Sequence, residues 1–253
     1  MTTNPTASRH TRVFGLISLF GFALVALLGL FLTEPDDVQG DLVRIIYVHV
    51  PLPIMAYVGF VVGAVASGLF LKNRNPFADL VACSAIEVGV IFGVLTLITG
   101  AVWGSPSWGT YWEWGDVRLV SMLVLVLLYV GYLALRQIPG DADATATRSA
   151  MMALMSVVMI PIVRYSVDWW KNDTLHQQAS LTDGKLEDLT LFTLLLSILV
   201  FGFFFVWLTT HRFRVAWLEH QIAEVGLVDA IAERRAEAAD GVQAAIANPG
   251  GES

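Results

Sequence analysis

The stretch VFGLISLFGFALVALLGLFL, residues 13–32, is an apolar run without a single charged side chain. A helix needs about 20 mostly apolar residues to cross the roughly 30 Å of hydrocarbon in a bilayer. The apolar core of a signal peptide is shorter, about 7–15 residues, and no small-residue cleavage site follows this run. The sequence therefore predicts a retained transmembrane helix.

Five further apolar stretches follow along the chain. The six predicted spans cover residues 13–32, 47–71, 80–103, 118–138, 149–166 and 188–210. The chain is 56% hydrophobic and 15% charged, whereas soluble domains average about 25% charged residues. Because lipid offers no partners for open backbone groups, each span must be helical. We predict an all-α membrane protein with six transmembrane helices.

Lysines and arginines in the short connections predict the orientation, because cytoplasmic loops carry an excess of them. One side of the membrane holds the larger set, Arg9, Arg12, Lys72, Arg74, Arg136, Arg148, Arg212 and Arg214. The other side holds Arg44, Arg118, Arg164, Lys171 and Lys185. Both termini are therefore predicted to be cytoplasmic, with residues 1–12 as a leader and residues 212–253 as a tail. Three loops then face outward, over residues 33–46, 104–117 and 167–187.

The tail has a more soluble character than the rest of the chain. Residues 213–240 predict an amphipathic helix, because apolar side chains are spaced for one face at Trp217, Ile222, Val225, Val228 and Ile231. The segment NPGG, residues 248–251, predicts a disordered end. A helix at the membrane surface is favoured, and a regulatory or partner-binding role is the alternative.

Tryptophans are concentrated on the predicted outward side. Six of the eight lie at or in outward loops: Trp103, Trp108, Trp112, Trp114, Trp169 and Trp170. An aromatic belt would decorate both interfaces, but the inward side holds only Trp207 and Trp217. Indoles gathered in a loop can lie against a large planar apolar ligand. We therefore favour a ligand platform over a plain belt.

Two histidines lie on the same side as these tryptophans. His49 stands at the outer start of the second span, and His176 lies in the third outward loop. A lone interfacial histidine is usually only a hydrogen-bonded polar residue. Two neutral imidazoles from separate segments, however, can occupy both axial positions of haem iron. Structural roles are favoured for the other three histidines, His10, His211 and His220.

Three charged residues have open roles. Arg44 and Arg118, at the outer ends of spans, suit haem propionates as charge-assisted partners, and snorkelling to the interface fits them equally well. Glu87 lies inside the third span, where an ionised group costs about 2.5–3.5 kcal/mol. A functional carboxylate and a carboxylate paired with a neighbouring helix are equal alternatives for it.

The sequence lacks the signatures of several classes of protein function. The single cysteine, Cys83, excludes an internal disulfide and a CxxCH attachment of c-type haem. The sequence has no Walker motif and no GxSxG element, and no zinc or calcium spacing. We therefore predict a haem-binding membrane protein that is not an enzyme and has no nucleic-acid partner.

Three motifs resemble the CcmC family, the haem-handling subunits of the system I cytochrome c maturation pathway. The segment WGTYWEWGDVRL, residues 108–119, resembles the tryptophan-rich WWD signature of their superfamily. The elements RIIYVHVP, residues 44–51, and SVDWW with LHQ, within residues 166–177, surround the two histidines. Two departures from the family pattern are Gly115, inserted before the aspartate of the signature, and a longer spacing before His176.

The resemblance implies a site for non-covalent haem b at the periplasmic face of the bacterial inner membrane. His49 and His176 would be the axial ligands. The implied platform consists of Trp108, Trp112, Trp114 and Asp116, and the full candidate site adds Trp103, Trp169, Trp170, Arg44 and Arg118. A haem channel across the bilayer and a b-type electron-transfer cytochrome are the alternatives.

The resemblance also implies partners. The haem chaperone CcmE receives haem through its own histidine, and the protein at most assists that covalent attachment. The small single-span subunit CcmD joins the complex, and the ATPase formed by CcmA and CcmB drives release of the loaded chaperone.

Overall fold

Residues 8–171, 174–176 and 188–247 are described by the computed structural model of the chain. Six helical stretches in this part of the chain are long and apolar enough to cross a membrane. They are Arg9–Leu32, Asp41–Asn73, Pro76–Trp108, Val117–Arg136, Ala142–Trp169 and Asp188–Gly226. The predicted all-α fold with six transmembrane helices is confirmed, and the chain is a multi-pass membrane protein.

Eight α-helices build these stretches. In chain order they are α1 (Arg9–Leu27), α2 (Ile46–His49), α3 (Pro51–Asn73), α4 (Pro76–Trp108), α5 (Val117–Arg136), α6 (Ala142–Ser156), α7 (Met159–Trp169) and α8 (Asp188–Ala247). A π-helical turn, Leu28–Leu32, continues α1, and a 3₁₀ turn, Asp41–Ile45, precedes α2. Side chains of Asn75, Asp116 and Asp141 cap α4, α5 and α6 by accepting backbone N–H groups.

Helix α4 is longer than the sequence predicts. The Gly-Ser-Pro-Ser segment after Trp103 indicates a loop, but the helix continues to Trp108. Pro106 removes one backbone donor, and membrane helices tolerate proline because nearby groups satisfy the freed carbonyl. Trp103 and Trp108 therefore lie on the last turns of a helix. The loop between α4 and α5 is limited to residues 109–116.

The fifth span is also longer than predicted, and it is broken. It covers Ala142–Trp169 instead of residues 149–166, because Asp141 caps it early. Helix α6 ends at Ser156 and α7 begins at Met159. Pro161 lies four residues after Val157, and a proline ring crowds the carbonyl four residues before it. The proline accounts for the break.

Helices α3 and α4 approach each other closely within the bundle. A Cβ on Gly59 would lie 2.8 Å from the carbonyl oxygen of Ala85 and 2.9 Å from Cα of Gly89, so this position requires glycine. Small residues let membrane helices pack backbone against backbone. Phe60 of α3 stacks on Tyr129 of α5 with ring centroids 3.8 Å apart. Helices α3 and α5 are thereby fixed beside α4, whose far end carries the candidate site.

Two ion pairs join helices nearer the beginning of α4. Asp79 accepts two hydrogen bonds of 2.7 Å from Arg136 of α5. Glu87 accepts hydrogen bonds from Nε and Nη2 of Arg212 on α8. The carboxylate inside the third span is thus paired with a neighbouring helix, which is one of the two alternatives that the sequence leaves open.

The chain divides into two compact units, Met1–Phe213 and Arg214–Ser253. The first contains the tryptophans and both histidines of the candidate site. The second is helical throughout its described part, in agreement with the helix predicted over residues 213–240. Exposed apolar side chains on it include Ile222, Val225 and Val228. The predicted disordered end and the first seven residues of the leader lie outside the described residues.

Candidate functional site

His49 lies at the end of α2, and its imidazole contacts α4. Its Nδ1 atom is 2.8 Å from Oγ1 of Thr99. The Thr99 hydroxyl also donates to the carbonyl oxygen of Leu95 at 2.8 Å. With its proton directed at the Leu95 carbonyl, the Thr99 hydroxyl offers a lone pair to Nδ1 of His49. In the tautomer that uses this acceptor, Nδ1 carries the imidazole proton and Nε2 presents a free lone pair.

The imidazole of His49 approaches the backbone of α4 at Gly100. A Cβ at this position would lie 3.3 Å from Cε1 of His49, closer than ordinary van der Waals contact. The missing side chain lets the ring sit against the helix while Nδ1 reaches Thr99. The sequence gives no signal for either residue, because both lie in an apolar span and Thr99 is 50 residues from His49.

His176 is held by Asp116, the N-cap of α5. Nδ1 of His176 lies 3.2 Å from Oδ1 and 3.3 Å from Oδ2 of the carboxylate. The backbone N–H of Leu119 donates to Asp116 at 2.9 Å. Two more donors come from the segment of His176 itself, the Leu175 N–H at 2.7 Å and the Thr174 hydroxyl at 3.0 Å. The carboxylate thus joins α5 to the histidine segment.

Asp116 is ionised although its side chain is buried. Burial alone would raise the pKa of Asp116. Hydrogen bonds from His176 and from the backbone N–H groups of Leu119 and Leu175 outweigh burial and hold that pKa well below its usual value. An ionised carboxylate only accepts hydrogen bonds, so Nδ1 of His176 carries the proton and Nε2 is left for a ligand. Asp116 caps α5 although Gly115 is inserted before it. The resemblance implies that Asp116 belongs to the haem platform, whereas in the structure its buried side chain holds His176.

The tryptophans of the motif form two contacting groups. Trp108 packs edge-on against His176 with centroids 4.8 Å apart, and against Trp103 at 4.9 Å. Trp112 and Trp114, in the loop, contact each other at 5.5 Å. Nε1 of Trp112 is buried and has no hydrogen-bond partner among the described residues. Because an unsatisfied buried donor is costly, this N–H suits an acceptor group on a ligand.

Two loop residues that the sequence does not single out also contact the tryptophans. Gln39, in the connection after α1, accepts a hydrogen bond from Nε1 of Trp103 at 3.2 Å. Thr110 accepts from the backbone N–H of Trp112 at 3.3 Å. The first contact orients the indole of Trp103, and the second holds the backbone of the loop at Trp112.

Trp169 and Trp170, at the end of α7, are half exposed and contact each other at 5.8 Å. Trp170 and Trp114 both line a groove of about 330 Å³ between α5 and α7. Its other walls include the apolar side chains Val117, Val120, Val124, Met159 and Ile162. Trp169 instead stacks on Tyr165 at 5.8 Å. The structure therefore brings Trp170 to the tryptophan loop and leaves Trp169 outside the groove.

Arg44 is occupied by the end of the first span. Its guanidinium donates to the carbonyl oxygens of Gly29, at 3.1 Å, and Leu30. Nε also pairs with Asp41 at 2.9 Å. Arginine side chains satisfy the open carbonyls of a helix end in this way. These contacts give Arg44 a structural role at the end of the first span, and its contact with a haem propionate stays a prediction.

Arg118 lies in the first turn of α5, beside Arg164 of α7. Its Nη2 donates to the carbonyl oxygen of Arg164 at 3.3 Å, and the Arg164 guanidinium lies 5.4 Å from the ring of Tyr165. Within the part of the chain that the structure describes, neither guanidinium pairs with a carboxylate. Two neighbouring cations attract anionic groups, so they suit a ligand with carboxylates. In the sequence, Arg164 serves only as one of the charges that predict the orientation of the spans, and nothing indicates that it lies near the site.

The side chains of the candidate site are of the types that bind haem. Two imidazoles offer free Nε2 atoms for iron, and indole rings offer apolar surface for a planar macrocycle. The buried N–H of Trp112 and the cations Arg118 and Arg164 suit its acidic groups.

The chain is similar to one family of known proteins over most of its length. The family model described as "CcmC: Heme exporter protein C" matches residues 2–227. The heme exporter protein C of Bradyrhizobium diazoefficiens is 38% identical over 200 residues, which cover 78% of this chain and 75% of that protein. Its counterpart from Haemophilus influenzae is 36% identical over 228 residues, 85% and 92% of the two chains. A ccmC-like mitochondrial protein of cytochrome c biosynthesis from Marchantia polymorpha is 34% identical over 174 residues, 69% and 72% of the two chains.

Proposed function

The chain belongs to the CcmC, or heme exporter protein C, family, and we propose that it binds haem between His49 and His176 and presents it to a haem chaperone. Family membership gives the chain a role in haem handling for cytochrome c maturation. The proposal adds the two axial ligands, non-covalent haem b, and a site on the periplasmic face of the inner membrane. Both termini are then cytoplasmic, and the partners are CcmE, CcmD, CcmA and CcmB.

The proposal rests on the way in which both histidines are hydrogen-bonded. Nδ1 of each imidazole contacts an internal acceptor, Thr99 for His49 and Asp116 for His176, so that Nε2 of each is left for iron. Residues outside the ligand set fix the tautomer of metal-binding histidines in this manner. Iron bound by two such imidazoles is six-coordinate and low-spin. Trp108 contacts the ring of His176 and would exclude water from the bound macrocycle.

We expect His49→Ala and His176→Ala each to accelerate haem loss from the purified protein. Wild-type protein should show a low-spin, two-imidazole absorbance spectrum, and each variant should lose that signature. Loss of a residue that merely supports a metal ligand costs about 10–100-fold in affinity, so removal of the ligand should cost at least about 10-fold. The measurement is the rate of haem transfer to excess apomyoglobin.

His211→Ala is the matched control for these two variants. His211 packs against Trp207 on α8, with centroids 4.9 Å apart, and makes no contact with the candidate site. Its replacement should leave the haem spectrum and the transfer rate unchanged. If neither His49→Ala nor His176→Ala changes either readout, the ligand assignment is wrong.

We expect Arg118→Gln to weaken binding of haem but not of haem dimethyl ester, which lacks the propionate charges. A hydrogen bond to a charged group contributes about 1.5–3 kcal/mol, which corresponds to about 10–100-fold in affinity. Arg44→Gln is the comparison, because that guanidinium binds the carbonyls of Gly29 and Leu30. Arg44→Gln should lower thermal stability but leave the ratio of the affinities for haem and for haem dimethyl ester unchanged. Equal losses of haem and ester binding in Arg118→Gln would contradict a propionate contact.

A further inference from the structure

We propose that the two haem ligands are unequal: His176 is the retained ligand, and His49, oriented by the positioning residue Thr99, is the exchangeable one. This inference rests on the proposed function, because it takes both histidines as ligands. It concerns a different property, namely which of the two bonds to iron opens during handover.

The two imidazoles have different acceptors behind them. His176 donates to an ionised carboxylate that four groups hold in place: the Leu119 and Leu175 N–H groups, the Thr174 hydroxyl and the imidazole itself. His49 donates to a neutral hydroxyl whose own proton is engaged with a helix carbonyl. A carboxylate behind a ligating histidine raises the basicity of the nitrogen that binds the metal.

Distance and charge act in opposite directions here. The contact of His49 with Thr99 is 2.8 Å, whereas that of His176 with Asp116 is 3.2 Å. Because the energy of a charge interaction is inversely proportional to distance, an increase from 2.8 to 3.2 Å weakens the interaction by about one-eighth. An ionised acceptor makes a hydrogen bond about twice as strong as a neutral one. Charge therefore outweighs distance, and His176 is the stronger donor to iron.

Thr99 has two consequences for the weaker ligand. Its hydroxyl keeps the imidazole proton on Nδ1, so that Nε2 of His49 stays available for iron. It adds no negative charge, so the bond from His49 opens more readily than the bond from His176. In the exchange, the lone pair of His49 Nε2 leaves iron and the lone pair of an incoming nitrogen or oxygen donor takes its place. No electron is transferred and no other bond changes.

The first experiment removes the Thr99 hydroxyl without changing side-chain volume. Thr99→Val should give a mixed high-spin and low-spin spectrum, and added imidazole should restore the low-spin form. Thr99→Ser, which keeps the hydroxyl, should match wild type. Thr96→Val is the matched control, because Thr96 makes the same kind of bond to its own helix, with the carbonyl oxygen of Phe92 at 2.8 Å. A Thr99→Val spectrum identical to wild type, or a Thr99→Ser spectrum identical to Thr99→Val, would overturn the role of Thr99.

The second experiment compares the two ligands directly, with imidazole as the probe. Haem transfer to apomyoglobin should be about tenfold faster from His176→Gly than from His49→Gly, given the different strengths of charged and neutral hydrogen bonds. Imidazole should return His49→Gly, but not His176→Gly, to the wild-type transfer rate. Equal or reversed rates would overturn the inequality while leaving both histidines as ligands. Haem-transfer rates equal to wild type in both variants would instead contradict the proposed function.

Discussion

Replacement of Asp116 by alanine is expected to cause both rapid haem loss and a less stable protein. The carboxylate caps α5 through Leu119 and holds the Leu175 N–H and the His176 imidazole. Loss of an N-cap costs about 0.5–2 kcal/mol, and loss of the partner behind a metal ligand costs about 10–100-fold in metal affinity. Thermal unfolding of the haem-free protein and haem transfer to apomyoglobin measure the two effects.

Asp116→Asn separates these effects. Asparagine caps helices about as well as aspartate, so the stability lost in Asp116→Ala should largely return. The negative charge behind His176 is still missing, so haem loss should stay fast. Asp141→Ala is the complementary control, because Asp141 caps α6 through the Ala144 N–H at 2.8 Å and contacts neither histidine. It should lower stability alone. Wild-type haem retention in both Asp116 variants would refute the anchoring role.

The largest effect on stability is expected from Asp79→Ala, at about 3–5 kcal/mol of unfolding free energy. Asp79 and Arg136 form two hydrogen bonds of 2.7 Å, and their side chains are only 12% and 17% exposed. Removing the carboxylate leaves a charged guanidinium unpaired within the helix bundle, which accounts for the size of the penalty. Thermal unfolding in detergent, with and without haem, gives the measurement.

Two comparisons test the origin of that loss. Asp79→Leu combined with Arg136→Met removes both charges and should recover most of the stability, because apolar replacement of a buried pair is often neutral or stabilising. Asp143→Ala breaks an exposed pair with Arg74, whose side chains are 64% and 51% exposed. Exposed pairs contribute about 0–1 kcal/mol. A loss in Asp79→Ala no larger than in Asp143→Ala would contradict the account.

Hydropathy was sufficient to predict the six spans, because each span needs only a local excess of apolar residues. The bounds of all six spans nevertheless differ from those predicted, and in two of them a proline lies at the difference. Helix α4 runs through Pro106, and the fifth span breaks before Pro161, since backbone groups near a proline depend on neighbouring helices for partners. The orientation, with both termini in the cytoplasm, stays a prediction from charge. The sequence motifs also indicate both histidines and the tryptophan cluster without any knowledge of packing.

The partners of those residues follow from packing alone. Thr99 is 50 residues from His49, and Asp116 is 60 residues from His176, so no spacing rule links them. Arg44 and Arg118 look alike in sequence, yet Arg44 binds carbonyls at the end of the first span and Arg118 binds the backbone of α7 at Arg164. The physical reason is that the free energy of membrane insertion is a sum over consecutive residues of the chain. A hydrogen bond instead requires two particular atoms to come together. Which atoms meet is set by the helix faces that pack together.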